Sequence, residues 1–260
     1  MAKRRRLVVR ATGWYGWRPD LPDARDLMFV PRPQVIGALP PKADLRAQMP
    51  KVYDQGNLGS CTANAIGAAL QFTQIKQGAP NFVPSRLFIY YNERVMEDSV
   101  ASDAGAEIRD GVKSVNKQGA PPETLWPYVI SKFKRKPTPA AFKAALAHQS
   151  ISYQRVTRDL ANMKACLAEG FPYVFGFSVY DGFESNECAK TGVLNVPEKT
   201  EELLGGHAVL AVGYDDASQR FIVRNSWGES WGQQGYFTMP YAYMTNRGLC
   251  SDFWTIRKVE

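Results

Sequence analysis

The chain has 260 residues, of which 45% are hydrophobic and 12% aromatic, and its formal net charge is +7. This length and composition allow a substantial buried core, either in one domain or in two lobes that share a cleft. No run of about 18 apolar residues occurs, so a membrane-spanning helix is not expected.

The chain begins with a basic segment, residues 1–38, that is rich in arginine, proline and tryptophan. This segment holds eight Lys/Arg and three Asp (+5), whereas residues 39–260 hold 24 basic and 22 acidic residues (+2). Its apolar run, Leu7-Val8-Val9, is too short for a signal-peptide core, so we expect a cytoplasmic protein or export without a recognisable signal peptide. A solvated arm is favoured, and contact with nucleic acid or another anionic ligand is the less favoured alternative.

A cysteine preceded by glycines opens the first predicted helix. Residues 55–65 read Gln-Gly-Asn-Leu-Gly-Ser-Cys-Thr-Ala-Asn-Ala, and from Cys61 onward the apolar spacing predicts a helix over residues 61–77. Gly56 and Gly59 allow a tight turn before it. The unpaired amides and the dipole at a helix start favour an anion, so the sequence predicts a thiol pKa well below the free value of about 8.5. These features are typical of a nucleophilic cysteine.

The predicted elements after residue 77 divide into a helix-rich half and a strand-rich half, with the second half beginning near Ile151. Helices are predicted over residues 84–96, 107–117, 138–148 and 160–169. Strands are predicted over residues 173–180, 208–214, 221–225 and 235–239, and residues 181–202 are expected to form a long polar insertion.

Two stretches of the strand-rich half carry the groups that a nucleophilic cysteine requires, namely a base and a group that orients the base. His207 lies between Gly205-Gly206 and an apolar run, as expected for a strand residue facing a cleft. Asn225 follows a predicted strand, where its side chain is able to hold the second imidazole nitrogen.

Together these stretches resemble the papain family of cysteine peptidases, and specifically a cathepsin-like, bacterial-type member with a short N-terminal extension. His207 lies 146 residues after Cys61, within the interval of about 130 to 150 that is typical of the family. The matching residues are Gln55, Gly59-Ser60-Cys61, Gly206-His207-Ala208, Asn225-Ser226-Trp227-Gly228 and Trp231-Gly232-x-x-Gly235-Tyr236.

The resemblance implies an α+β fold in which a helical lobe and an antiparallel β-sheet lobe meet at the active-site cleft. Residues 39–150 would form the helical lobe with Cys61, and residues 151–260 would form the β-rich lobe with His207. Residues 1–38 would take the place of a pro-segment and are too short for the usual helical inhibitor domain. We hypothesise that this arm covers the cleft, anchored by Trp14, Tyr15 or Trp17; a leader or a clamp elsewhere on the body is equally favoured.

The resemblance also implies a role for each site residue. Cys61 as thiolate and His207 as imidazolium would form the catalytic pair, each stabilising the charge of the other. Asn225 would orient the imidazole, and Gln55 would donate to the oxyanion together with the Cys61 amide. Trp227 would shield the contact between Asn225 and His207 from water. Gly105 and Gly206 would bind the substrate backbone, although a plain turn is the favoured role for Gly105.

No cofactor, metal or membrane partner is expected; the expected partner is a peptide or protein substrate, and the expected state is a monomer. Cys166, Cys188 and Cys250 show no metal-type or Cys-x-x-Cys spacing, so reduced structural thiols are favoured over one disulfide. The acidic residues within 181–202 do not have the spacing of a calcium loop.

The implied function is that of a cysteine peptidase, and an endopeptidase is favoured over a carboxydipeptidase because His148 is the only other histidine. The sequence departs from the family pattern at Leu58, where a cysteine is usual, and at Thr62, where a tryptophan is usual. Two alternatives remain open. One is a different acyl transfer by the same groups, such as transglutaminase or deamidase activity. The other is an inactive papain-like binding protein.

Overall fold

The computed structural model describes residues 15–260, and most of its helices precede most of its strands. The helix that begins at Cys61 is buried from Cys61 to Gln74, because its many alanines allow neighbouring elements to approach closely from several sides. It ends at Gln77, and the left-handed backbone of Gly78 (φ 66°) caps it. The helices are α1 Pro33–Ile36, α2 Cys61–Gln77, α3 Arg86–Met96, α4 Ile108–Lys117, α5 Pro139–Ala145, α6 Leu160–Ala168, α7 Asn186–Thr191 and α8 Tyr241–Met244.

Strands of the second half form an antiparallel sheet in the order β4-β9-β5-β6-β7-β8, and β2 also pairs with β6. A separate two-stranded parallel pair joins β1 to β3. Within residues 15–260 no helix is both long and apolar enough to cross a bilayer. The strands are β1 Trp17–Arg18, β2 Lys42–Asp44, β3 Ala106–Glu107, β4 Ser150–Arg155, β5 Tyr173–Tyr180, β6 Leu203–Asp215, β7 Arg220–Arg224, β8 Tyr236–Pro240 and β9 Cys250–Val259.

Helix α2 packs against the sheet, chiefly against β6 and β9. This contact brings the cysteine at the start of the helix to the strand that carries His207. On β6, His207 pairs with Phe177 and Ala208 pairs with Gly176 of β5. The α+β fold expected from the sequence is therefore present, with a largely helical part and an antiparallel sheet meeting at a cleft. The division at residue 150 stays a prediction.

Several predicted elements coincide with the structure and others differ. The predicted helix over residues 61–77 and the strand over residues 173–180 have the observed bounds. The helix predicted over residues 138–148 is shorter and ends at Ala145. The insertion at residues 181–202 is not entirely irregular, because it contains a short 3-10 helix and α7, which begins where the Ser185 hydroxyl caps the Cys188 amide.

The cysteines other than Cys61 are buried free thiols, as favoured from the sequence. Cys166 lies on α6, Cys188 on α7 and Cys250 at the start of β9, and none of them forms a disulfide. Burial raises the pKa of each of these thiols, which disfavours the reactive thiolate form at neutral pH.

Candidate active site

Cys61 is presented by a tight loop at the first turn of α2. Within this loop the Gln55 side-chain Nε2 donates to Leu58 O (2.9 Å) and the Ser60 amide donates to the same oxygen (2.8 Å). Gly56 adopts a left-handed backbone (φ 60°) that favours glycine. The Gly59 amide donates to the Asp103 carboxylate (3.0 Å), which fixes the loop to the helical part. The loop therefore holds the thiol at a defined position, where it is fully buried.

The orientation of the His207 imidazole follows from its contact with Asn225. Asn225 Oδ1 lies 2.9 Å from His207 Nε2 and also accepts the Ser226 amide at 2.8 Å. Because an amide oxygen only accepts, the imidazole nitrogen that faces it must carry a hydrogen. In the neutral ring this leaves the lone pair on Nδ1, which has no hydrogen-bond partner among the described residues. The imidazole is therefore set to accept a proton at Nδ1.

Aromatic rings enclose the contact between His207 and Asn225. Trp227 stacks on the imidazole with a centroid distance of 5.1 Å and an interplanar angle of 29°. Phe177 and Phe183 contact the same imidazole ring at 5.8 and 6.3 Å. Burial by these rings lowers the pKa of His207 to about 4, and the hydrogen bond to Asn225 only partly opposes this.

Gln55 connects the loop before Cys61 to the turn that carries Asn225. Its backbone amide donates to Ser226 O (2.9 Å), and its side-chain Oε1 accepts the Ser226 hydroxyl (2.6 Å). The orientation of the side-chain amide follows from its other end, because Nε2 donates to the Leu58 carbonyl, which only accepts, in the loop that precedes Cys61. A fully buried glutamine held in this way is a preorganised hydrogen-bond donor beside the thiol.

The charge state of Cys61 differs from the expectation based on the helix start. Burial raises the pKa of the Cys61 thiol to about 11, and the amides of Ala208, Gly16 and Thr62 only partly oppose this. The sequence argument considered the helix dipole alone, whereas loss of solvent is the larger effect on this buried thiol. With His207 also neutral above about pH 4, thiol and imidazole form an uncharged pair in this conformation.

The structure describes residues 15–38 of the N-terminal arm, and the first of these residues occupy the cleft above Cys61. The Gly16 amide is directed at the thiol, and Gly16 O accepts the Ala106 amide at 2.7 Å. A Cβ atom on Gly16 would lie 1.8 Å from Gly59 O, so only glycine fits there. The Tyr15 ring lies 6.1 Å from the His207 ring, and its hydroxyl donates to Glu184. The arm therefore lies where a substrate would have to enter.

Gly105 and Gly206, the predicted substrate-binding residues, both lie under the arm. A Cβ atom on Gly105 would lie 2.0 Å from Gly16 O, and one on Gly206 would lie 2.5 Å from Trp17 O. Both positions therefore allow a peptide backbone to approach closely, although their role toward substrate stays a prediction. Of the proposed anchors, Tyr15 and Trp17 contact the cleft, whereas Trp14 lies outside the described residues.

The two departures from the family pattern are accommodated locally. Leu58 is buried within the loop. Thr62, beside the nucleophile, donates its hydroxyl to Glu93 Oε2 at 2.8 Å. Burial raises the pKa of Glu93 well above its ordinary value, which disfavours a negative charge beside the thiol.

Asp252 is a residue near the cleft that the sequence interpretation missed. It is buried on β9, adopts a left-handed backbone (φ 60°) and accepts the Trp17 indole N–H at 3.2 Å. No strand was predicted over β9, because its buried residues 252–256 are consecutive and show no alternation. Among residues 15–260 no group of His, Cys, Asp or Glu side chains is arranged to hold a metal ion.

The arrangement is that of a papain-type cysteine protease site. A buried cysteine at a helix start faces a strand that carries an imidazole, and an asparagine beneath a tryptophan orients that imidazole. Residues 39–251 match the family described as papain family cysteine protease. The chain belongs to this family and is a papain-like cysteine peptidase, a hydrolase that acts on peptide or protein substrates.

Proteins similar to the chain include a viral, a protist and a bacterial example. An uncharacterized peptidase C1-like protein, L477, of Acanthamoeba polyphaga mimivirus is 42% identical over 94% of this chain and 87% of the relative. Cathepsin B-like CP3 of Giardia intestinalis is 31% identical over 82% and 73%. The crystal structure of xylellain, a cysteine protease from Xylella fastidiosa, superposes with a TM-score of 0.91 at 46% identity, covering 96% of this chain and 98% of xylellain.

Alkylation of Cys61 tests the uncharged resting pair. At a thiol pKa of about 11, only about one thiol in ten thousand is ionised at pH 7, and the thiolate is the nucleophile. We expect the rate of iodoacetamide alkylation of the full-length protein to rise about tenfold per pH unit between pH 6 and 9. Cys61→Ala serves as the control, because any alkylation of this variant comes from the three remaining thiols. A rate that is already constant below pH 7 would contradict the neutral pair.

Proposed function

We propose that the protein is an endopeptidase in which Cys61 and His207 perform acyl transfer to water and the N-terminal arm holds the enzyme inactive. In the reaction, His207 Nδ1 takes the thiol proton, and the sulfur attacks the peptide carbonyl carbon. The amide Nε2 of Gln55 and the Cys61 backbone amide donate to the oxyanion. The imidazolium then protonates the leaving amine as the C–N bond breaks, and a water molecule deprotonated by His207 hydrolyses the thioester.

The observation that carries this proposal is that one atom, Asn225 Oδ1, accepts hydrogen bonds from two groups; we call it the shared acceptor. Because Oδ1 binds both the Ser226 amide and His207 Nε2, the ring retains its Nε2 hydrogen throughout the cycle. Only Nδ1 is then available to exchange a proton with the thiol and with the leaving amine. One imidazole nitrogen thereby serves successively as base and acid, while the other fixes the ring.

The blocking role of the arm is supported by how its backbone pairs with the body and by which backbone group it presents to Cys61. β1 pairs in parallel with β3, through Trp17 with Ala106 and Arg18 with Glu107. The arm residue at Cys61 is Gly16, which has no side chain, and its amide N–H rather than a carbonyl carbon faces the sulfur. A backbone presented in this way blocks the thiol without offering it an electrophile. The protein would thus be a zymogen or a reversibly inhibited enzyme.

A substitution at Gly16 tests the blocking role in the full-length chain. In Gly16→Val the new Cβ would overlap Gly59 O, so the arm must move away from the cleft, at a cost typical of overpacking. We expect kcat/KM for fluorogenic dipeptide substrates to rise about tenfold or more. Val30→Ala, which alters an arm side chain that is 79% exposed, should leave the kinetics unchanged. Equal activity of Gly16→Val and the parent protein would rule out inhibition by the arm.

Asn225→Ala, introduced into the Gly16→Val protein, tests the orientation of the imidazole. Loss of a hydrogen bond to a ring that becomes charged should lower kcat/KM about ten- to a hundredfold. Cys61→Ala should abolish turnover. Asn195→Ala alters an exposed asparagine and is the matched control. If Asn225→Ala retained full activity, the shared acceptor would not carry the mechanism.

The amide bond that is cleaved distinguishes the peptidase from transglutaminase or deamidase activity, which would use the same groups on a glutamine side chain. A peptidase releases new amino termini from peptide substrates, whereas the alternatives release ammonia from glutamine. We expect amino termini alone from the Gly16→Val protein. Ammonia release without chain cleavage would replace the peptidase proposal.

A further inference from the structure

The arm docks onto the body through a buried cluster of five ionisable side chains beyond the catalytic groups. Asp20 and Asp26 belong to the arm, and Arg109, Arg155 and Asp252 belong to the body. The side chains of Asp20, Asp26 and Asp252 are at most 5% exposed, that of Arg109 is 6% exposed and that of Arg155 is 23% exposed. Charges shielded from water to this extent interact strongly and require partners.

The hydrogen bonds of the Arg109 guanidinium, on α4, are made almost entirely with the arm. Its Nε and Nη2 donate to the two oxygens of Asp26 at 3.0 and 2.7 Å, and its Nη1 donates to Leu21 O. This paired arrangement matches a planar guanidinium with a carboxylate. The Arg109 guanidinium forms no ion pair with a body carboxylate among the described residues. Departure of the arm would therefore leave this guanidinium without its hydrogen-bonded carboxylate.

Arg155 on β4 is shared between the arm and the body. Its Nη1 donates to Asp26 at 2.7 Å and lies 3.9 Å from Asp20 Oδ2, and its Nη2 donates to Asp252 at 3.0 Å. With the arm bound, the cluster contains three carboxyl groups and two guanidinium groups. Without Asp20 and Asp26 it would contain one carboxyl group and two guanidinium groups, so the body alone has an excess of positive charge here.

The charge cluster lies on the path of an extended peptide that leaves the catalytic cleft. Trp17 follows Gly16 and places its indole against Gly176 and Gly206, where any Cβ atom would overlap it. The same indole donates to Asp252 Oδ2 at 3.2 Å, and the Asp20 amide donates to that oxygen at 2.9 Å. The arm therefore passes from Cys61 to the arginines within a few residues.

We propose that Arg109 and Arg155 form a subsite for an acidic side chain of the substrate, which the arm fills with its own aspartates. This inference rests on the proposed function, in which the arm leaves the cleft before catalysis. The ligand is a peptide carboxylate, because the site continues a groove that binds peptide backbone and its present occupants are peptide carboxylates. The enzyme would then prefer substrates with Asp or Glu several residues from the cleaved bond.

The test uses full-length protein carrying Gly16→Val, Asp20→Ala and Asp26→Ala, which weakens the arm and leaves the body unchanged. The substrates are internally quenched peptides that differ only in one residue, Asp, Asn or Lys, placed in turn at each position on either side of the cleaved bond. We expect kcat/KM for the Asp peptide to exceed that for the Asn peptide about tenfold at positions on one side, as for a charge-assisted hydrogen bond.

Variants of Arg109 distinguish a subsite from a structural role. Arg109→Gln should reduce the ratio of kcat/KM for the Asp peptide to kcat/KM for the Asn peptide toward one. Arg109→Glu should reverse the preference toward the Lys peptide, a result that misfolding cannot produce. Arg135→Gln, at an exposed arginine, should keep the Asp preference. Equal hydrolysis of the Asp and Asn peptides at every position would overturn the subsite, whereas no hydrolysis of any peptide would overturn the proposed function itself.

Discussion

The catalytic arrangement depends on a short seam between residues 53–55 and residues 226–228. In this seam the Gln55 amide donates to Ser226 O, the Gly228 amide donates to Tyr53 O at 3.0 Å, and the Ser226 hydroxyl donates to the Gln55 side chain. Residues 53–55 lead to Cys61, and residues 226–228 follow directly after Asn225. These few hydrogen bonds therefore set the position of the nucleophile relative to the imidazole. Because Tyr53, Gln55 and Ser226 are buried, water competes little for these hydrogen bonds.

Occupancy of the cleft determines the charges that the site can hold. With the arm in place, loss of solvent outweighs the stabilisation that amides and the helix start offer to a thiolate, and both Cys61 and His207 are neutral. A charged pair requires either solvent or the polar groups of a substrate. In the proposed inhibition the arm would therefore act in two ways: it would exclude the substrate, and it would disfavour the charged thiolate on which the nucleophile depends.

The parts of the site that lie in local sequence patterns were predictable, and those formed by distant backbone contacts were not. The glycine-rich loop and the start of α2 each follow from adjacent residues, as does the strand with His207. The sequence left open where the arm lies. Its contacts place Gly16 and Trp17 against Gly105 and Gly206, and they involve main-chain atoms at positions where glycine leaves room for them. Strand β9, and with it Asp252, was missed because a strand buried on both faces shows no alternation.

The covalent connection of the arm to the body changes how strong its binding has to be. A tethered segment competes at an effective concentration of roughly millimolar, so even weak docking of residues 15–38 would keep the cleft filled. A single chain cleavage within this segment would abolish that advantage and turn the arm into a free peptide. Inhibition would then depend on total protein concentration, and dilution alone would be enough to switch the enzyme on.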